Sequence, residues 1–411
     1  MKNLDNLARA ILQGNDKGAY TIPTSGLYPY QWNWDSVLAA WGFATFDIDR
    51  AWTELETLFQ SQWASGMVPH IIFHEDDPGY FPGPQVWGTG QTPPTSGISQ
   101  PPVAATIAAK VWGMDPDAGR ERIAKLFPKM LAWHRWYHEV RCMHGPATIT
   151  HPWESGRDNC PDWDIGMAGV DGSKVAPYER RDTGHVDPEM RPKKEEYDKY
   201  VAILEFGRDV GWDDRKIMEE GPFLMADPAM TFILLRADKD LLAMAEKLGE
   251  DTAEIQGWID DLTAAVPSLW NDDLGSYDAS DIRSGAWANN ISSGAFLYTY
   301  AGIDNPAMDK RTLDAWDAVT YGIPSADPKA ERFDPQRYWR GPSWPFMNGL
   351  IAIGLQDAGR DLLAERLRRE TAELIRKGGF YEYFDPTNGS PCGGSDFTWT
   401  AAVWLAWAGR T

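Results

Sequence analysis

The sequence predicts an all-α protein, and three observations predict it. Apolar residues recur at helical spacing, with short breaks, along most of the 411 residues. Convincing strands of alternating polarity are almost absent. The helical runs come in pairs, with long irregular loops between some pairs, which suggests a helical barrel built from helical hairpins. No repeat of fixed period supports a solenoid.

The first run, 3–14, scatters charges through MKNLDNLARAILQGN and reads as an amphipathic helix, not a signal peptide. Runs at 35–46 and 48–65 follow, the second behind Asp47, whose carboxylate suits a helix start. Further runs cover 102–113, 118–140 and 195–210. The run 227–248 opens on Asp227-Pro228 and closes on Lys247 and Gly249, as a helix should at each end. The remaining runs are 251–270, 291–302, 307–320, 343–358, 360–377 and 397–408. Two long segments, 66–101 and 141–194, are rich in Gly, Pro, polar and aromatic residues. Loops of that length are functional or disordered, and their aromatic content argues against disorder. They read as walls or lids over a pocket, with lids at about 66–101 and 170–200. No shift of composition marks a second domain, so a single domain is expected across 1–411.

A net charge of −21 excludes nucleic acid and anionic membrane as partners, since either needs a basic face. No membrane span is expected, because no stretch of about 18 apolar residues occurs. Cys142, Cys160 and Cys392 are too few and scattered for a disulfide framework, which favours the cytoplasm. A homo-oligomer stays open. The 21 Trp and 15 Tyr exceed what a core needs, and those beside Gly, Pro and acids in loops suit a ligand with both flat and polar faces.

The densest chemistry lies in HPWESGRDNCPDWD, residues 151–164, where Glu154, Asp158, Asp162 and Asp164 crowd beside Trp153 and Trp163. A solvated acidic loop would not need the tryptophans. Calcium would find oxygen ligands in Asp158, Asp162 and Asp164, but the spacing fits no EF-hand loop. His134 and His138 stand four apart in HRWYH without the glutamate of HExxH, so no metal is expected and the histidines read as structural. A second unusual carboxylate, Glu382, sits between tyrosines in GGFYEYFDPTNGSPCGG, 224 residues after Asp158 (382 − 158). Glycoside hydrolysis needs two carboxylates flanking one bond. YPYQWNWDS (28–36) and RYWRGPSWPF (337–346) add flat rings for sugar faces and polar groups for hydroxyls. No GxSxG, GxGxxG or Walker lysine is present, and no cofactor is expected.

Taken together, YPYQWNWDS, SGISQPP, WESGRDN, RYWRGPSWP and FYEYFDP…TWTAA resemble glycoside hydrolase family 63, and within it the bacterial mannosylglycerate and glucosylglycerate hydrolases. The motifs run in family order from residue 28 to about 402, nearly the whole chain. The resemblance implies an (α/α)6 barrel and inversion at the anomeric carbon. It implies Asp158 as general acid and Glu382 as general base. Sugar contacts would come from Tyr30, Trp34, Asp35, Gln100, Trp153 and Gly156, with Trp339 and Trp344 closing the pocket. Glycerate would be met by Tyr80 in DDPGYFPGP, Arg191 and Tyr197 in MRPKKEEY, and Tyr338.

The substrate so implied is a small sugar with an anionic aglycone, a glycosylglycerate. An anionic ligand in so acidic a protein needs a local cation, and Arg191 is the candidate. Burial against Trp153 and Trp163 should keep Asp158 protonated, while Glu382, in a more open place between tyrosines, stays ionised and holds a water. The alternatives are an α-glucosidase for neutral oligosaccharides, a sugar epimerase or isomerase, and a non-catalytic sugar-binding protein. An epimerase would need paired catalytic histidines, and the HRWYH pair sits mid-helix. Two carboxylates argue for turnover over binding alone.

Overall fold

The computed structural model describes residues 2–410. Sixteen α-helical segments occur among them, three being single turns (Pro84–Trp87, Asp164–Ala168 and Asp182–His185). The others are α1 (Lys2–Gly14), α2 (Asn33–Phe43), α3 (Ile48–Gln60), α4 (Ala104–Met114), α5 (Gly119–Trp136), α6 (Lys194–Asp209) and α7 (Asp214–Glu220). In the second half come α8 (Pro228–Leu248), α9 (Ala253–Ala265), α10 (Pro306–Trp316), α11 (Pro345–Asp357), α12 (Asp361–Gly378) and α13 (Thr398–Val403). Every strand is two residues long, as in Gln31–Trp32 against Ile71–Ile72. The fold is all-α, and among the described residues no helix is long and apolar enough to cross a membrane.

Burial follows the sequence pattern. All eleven residues of α2 are buried, because NWDSVLAAWGF has no charged face to give to solvent. The same holds for α11 from Pro345 to Leu355. By contrast α12 buries one stripe, Ala364, Leu367, Thr371, Ala372, Leu374 and Ile375, and leaves its arginines and glutamates outside. The inner helices touch in succession: α2 on α4, α4 on α8, α8 and α11 on the helical turn 295–298, α11 on α13, and α13 back on α2. Outer helices lie on them, α3 on α2, α5 on α4 and α8, α9 on α8, and α12 on α11.

Helix ends fall where local chemistry puts them. Asp47 accepts from the Arg50 amide, and Asp227 from the Ala229 amide behind Pro228. Gly249 closes α8 at a φ of 80°, a left-handed position suited to glycine. Several expected runs are shorter. The run 48–65 stops at Gln60, 307–320 stops at Trp316, 251–270 gives way after Ala265 to a 3₁₀ turn around Pro267, and 291–302 keeps only the turn 295–298. In the last case Ser292 spends its hydroxyl on Asp162 and pairs its backbone with Ala326, so no helix starts there. Helix α7 was not expected, although Asp213 caps it on the Lys216 amide.

One close approach fixes how α11 meets the turn 295–298. A Cβ on Gly354 would lie 2.3 Å from the Tyr300 backbone nitrogen. Gly354→Ala in a free helix would gain about 1 kcal/mol. Here it should lose about 1–3 kcal/mol through overpacking, read as a lower urea midpoint; a rise would show that the backbones have room to part.

Candidate active site

The crowding of acids in residues 151–164 resolves once each is followed to its partner. Glu154 is fully buried and accepts from the Arg141 Nε at 2.9 Å and the Thr150 amide at 2.8 Å. Asp162 accepts from Arg157 at 2.9 Å, Ser292 at 2.7 Å and Asn290 at 2.6 Å. Asp164 pairs with Arg340 at 2.5 Å. Asp158 alone takes no side-chain hydrogen bond or ion pair from any described residue. It faces a cavity enclosing about 880 Å³, open mouth included.

The turn itself sorts these groups. Gly156 and Asn159 both have positive φ, 65° and 66°, so Arg157 enters the core while Asp158 faces the cavity. A Cβ on Gly156 would stand 2.4 Å from the Trp34 ring, so glycine lets the indole approach the turn. Burial pushes the Asp158 carboxyl up to about 7, with Glu382 and Asp182 adding to the rise and Arg191 opposing it. Trp153 lines the cavity beside it, as expected. Trp163 does not: its indole donates to the Arg157 carbonyl at 2.8 Å and lies under that guanidinium, away from the acid. Asp35, in the first turn of α2, also lines the cavity and is pushed well above the usual carboxylate range by burial and by Glu382.

Glu382 is 0% exposed, not in the open position expected. Its Oε1 accepts from the Tyr28 hydroxyl at 3.1 Å, and its Oε2 from the Gly394 amide at 3.0 Å. Arg191 Nη1 reaches both oxygens, at 3.3 and 3.2 Å. Taken out of water, the carboxylate has its oxygens met by these three donors. Gly393, at a φ of 73°, closes the turn around it, and a Cβ there would lie 2.4 Å from Oε2.

Arg191 is 3% exposed. Burial alone would weaken its charge, yet Tyr28, Glu382, Tyr338 and Asp182 outweigh it and hold the guanidinium firmly protonated. Its Nε donates to Asp182 at 3.2 Å, its Nη2 to the Tyr28 hydroxyl, and the Tyr338 ring lies 4.4 Å away. Asp182 also takes two bonds from Arg180, at 2.5 and 3.0 Å. Burial would raise this carboxyl, but the two guanidiniums hold it below its ordinary value. Over the mouth the two long loops interlock. Arg181 grips Asp77 at 2.5 and 2.7 Å, Phe81 stacks on Tyr178 at 4.4 Å, and the Tyr197 hydroxyl donates to the Phe81 carbonyl at 3.4 Å.

Of the residues singled out from the sequence, Asp158, Glu382, Trp34, Asp35, Tyr80, Gln100, Trp153, Gly156, Arg191, Tyr197 and Tyr338 line this one cavity. Three do not. Tyr30 is fully buried behind Tyr80 and donates to the Asp77 carbonyl at 3.3 Å, so it backs the loop. Trp339 and Trp344 stack on each other at 4.0 Å behind Tyr338 and Tyr383, and so cannot close the pocket. The sequence reading missed Tyr28, His70 and Asp182, which also line it. His70 is held neutral by burial and by His151. Tyr28 opens the motif YPYQWNWDS and was within reach. Asp182 sits among charges with nothing local to mark it. His134 and His138 are structural: both bond Asp238, at 2.7 and 2.9 Å.

Comparison with known proteins points one way. A family model described as "Mannosylglycerate hydrolase MGH1-like glycoside hydrolase domain" matches residues 28–400. The chain is 44% identical to mannosylglycerate hydrolase MGH1 of Selaginella moellendorffii, over 98% of this chain and 85% of that one. It is 32% identical to the glucosylglycerate hydrolase of Mycolicibacterium hassiacum, over 98% and 97%. The crystal structure of a GH63 mannosylglycerate hydrolase from Thermus thermophilus, in complex with Tris and D-glycerate, superposes with a TM-score of 0.94 at 43% identity, covering 98% of this chain and 99% of that one.

The unpaired carboxyl of Asp158 also costs stability. With its pKa at about 7 in the folded chain against an ordinary 3.8, the folded state keeps a proton that the unfolded chain has lost. Stability therefore falls as pH rises across that window. Asp158→Asn removes the penalty, so it should raise the melting temperature, and more at pH 8 than at pH 5. Full burial would make that difference nearly 3 kcal/mol at ~1.4 kcal/mol per unit, and the open cavity reduces it to roughly 1–2 kcal/mol. An equal gain at both pH values would mean that the carboxyl ionises normally.

Proposed function

This chain belongs to the mannosylglycerate hydrolase MGH1-like glycoside hydrolases of glycoside hydrolase family 63, and on that premise we propose that it hydrolyses a glycosylglycerate to free sugar and glycerate with inversion. The observation that carries this is one cavity holding Asp158, which has no partner and is pushed up to about 7, Glu382, and the buried Arg191 guanidinium that reaches it. Asp158 donates its proton to the glycosidic oxygen as the C–O bond breaks. Glu382 takes a proton from the water that attacks the anomeric carbon from the opposite face. Trp34, Asp35, Gln100, Trp153 and Gly156 hold the sugar. Tyr80, Arg191, Tyr197 and Tyr338 hold the glycerate, whose carboxylate suits the guanidinium fork. The relatives' names favour mannose over glucose.

Two further readings go with this one. The succession of inner helix contacts, returning to its start and covered by outer helices, supports an (α/α)6 barrel in a single domain, with lids at about 66–101 and 170–200. Three free thiols support a cytoplasmic location.

A substrate panel under matched conditions tests the proposal: mannosylglycerate, glucosylglycerate, mannosylglyceramide and maltose-type sugars. Preference for a neutral oligosaccharide would replace it with the α-glucosidase reading. Asp158→Asn and Glu382→Gln should each lower kcat by about 10²–10⁴-fold with the fold intact by circular dichroism. Because protonated Asp158 is the working form, activity should fall as pH rises through about 7. The first sugar released from an α-linked substrate should be the β-anomer by NMR; initial α-anomer would mean retention and remove Glu382 from its role.

A further inference from the structure

We propose that Arg191 masks Glu382 in the substrate-free enzyme, and that the aglycone carboxylate unmasks it by drawing the guanidinium away. This rests on the glycosylglycerate reading above and deepens it. A carboxylate offers about four lone-pair positions. Glu382 fills four: Tyr28 and Arg191 on Oε1, Gly394 and Arg191 on Oε2. None remains for a water that must hand over its proton. One donor has to leave before Glu382 acts as a base.

The three donors are not equally free to go. Gly394 gives a backbone amide from a turn that Gly393 packs against Glu382 itself. The Tyr28 ring is wedged edge-on between Trp32 and Phe397, at 5.2 and 5.9 Å. Arg191 holds on through a single nitrogen at 3.2–3.3 Å. A charge-assisted bond of this kind is ordinarily about 2.7–2.9 Å, and a two-nitrogen grip is stronger. A glycerate carboxylate can accept that two-nitrogen grip, whereas the pinned Glu382 receives only Nη1.

The arginine can turn without losing its place. Its backbone is tied down through Met190, whose carbonyl accepts from the Tyr383 hydroxyl at 2.9 Å. Its Nε rests on Asp182, which Arg180 holds with two further bonds. With Asp182 as pivot, both Nη atoms can swing from Glu382 and Tyr28 to the incoming carboxylate. Tyr28, relieved of Arg191, keeps its hydrogen on Glu382 and orients it. Recognition of glycerate thereby becomes a condition for catalysis as well as for binding, and a neutral aglycone loses kcat besides affinity.

The test uses the full-length enzyme and an α-glycosyl fluoride of whichever sugar, mannose or glucose, the enzyme accepts. Fluoride needs little help from Asp158 and leaves the glycerate end empty, so the rate reports attack of water aided by Glu382. Water adds to the anomeric carbon, its proton passes to Glu382, and fluoride departs. Saturating D-glycerate should raise kcat at least about fivefold, the lower end of ordinary coupling between two sites, while glycerol and added chloride should not. Arg191→Gln should cleave the fluoride faster than the wild type without glycerate and show no further rise with it. No activation of the wild type by glycerate, or inhibition alone, would overturn the masking, whether or not the variant folds. If the enzyme failed on glycosylglycerates altogether, the proposed function would fall first; good turnover of them without activation of the fluoride would sink only the masking.

Discussion

A carboxylate shut away from water without a cation or donors costs several kcal/mol, and this chain, at a net charge of −21, shuts away many. Its interior is organised around meeting that cost. Arg50 answers Glu54 at 2.6 Å, Arg141 answers Glu154, and Arg157 answers Asp162 and Asp227 together. His134 and His138 share Asp238. These pairs tie loops to helices distant in the chain: Arg157, in the acid turn, reaches the cap of α8, and so fixes the turn to the inner helices. The other charged members of the acid turn, Glu154, Arg157, Asp162 and Asp164, are all paired. Asp35 and Asp158 face the cavity without a cation of their own, and both are pushed upward.

That arrangement also decides how much was legible in advance. Helix existence and the inner or outer place of α2, α11 and α12 could be read from apolar periodicity, since solvent exposure follows from it directly. The motif containing the acid could be read too, because tryptophans beside acids have few other uses. Which of four acids stays free could not, for its neighbours' partners are remote: Arg340 lies 176 residues from Asp164, and Asn290 128 from Asp162. The same distance hid the pairing of Arg191 with Glu382 across 191 residues, and with it the full burial of Glu382. Trp339 and Trp344 misled for the opposite reason. A tryptophan next to Pro and Gly carries the same local signature whether it lines a pocket or backs its wall.

Two of the five described non-glycine residues with a positive φ lie at the same place. Tyr338, against Arg191, holds a positive φ of 41° that bulky residues avoid, and Asn159, directly after the acid, one of 66° that asparagine tolerates better. Asn159 is held by the turn on both sides of Asp158, and Tyr338 by the rings of Trp344 and Tyr383 around it. The framework's stability is spent in part on keeping these few residues where an unconstrained chain would not put them.

Gly393 carries a consequence that belongs to heredity more than to mechanism. With no room for even one carbon between it and Glu382, and a left-handed backbone besides, the position admits no side chain without moving that carboxylate. Any single-base change that alters a glycine codon's meaning introduces a Cβ there or stops translation. The gene thus has no silent detour through a neighbouring residue at this codon. A lineage that loses the glycine must either restore it or rebuild the turn from Tyr381 to Gly394 around a different closure.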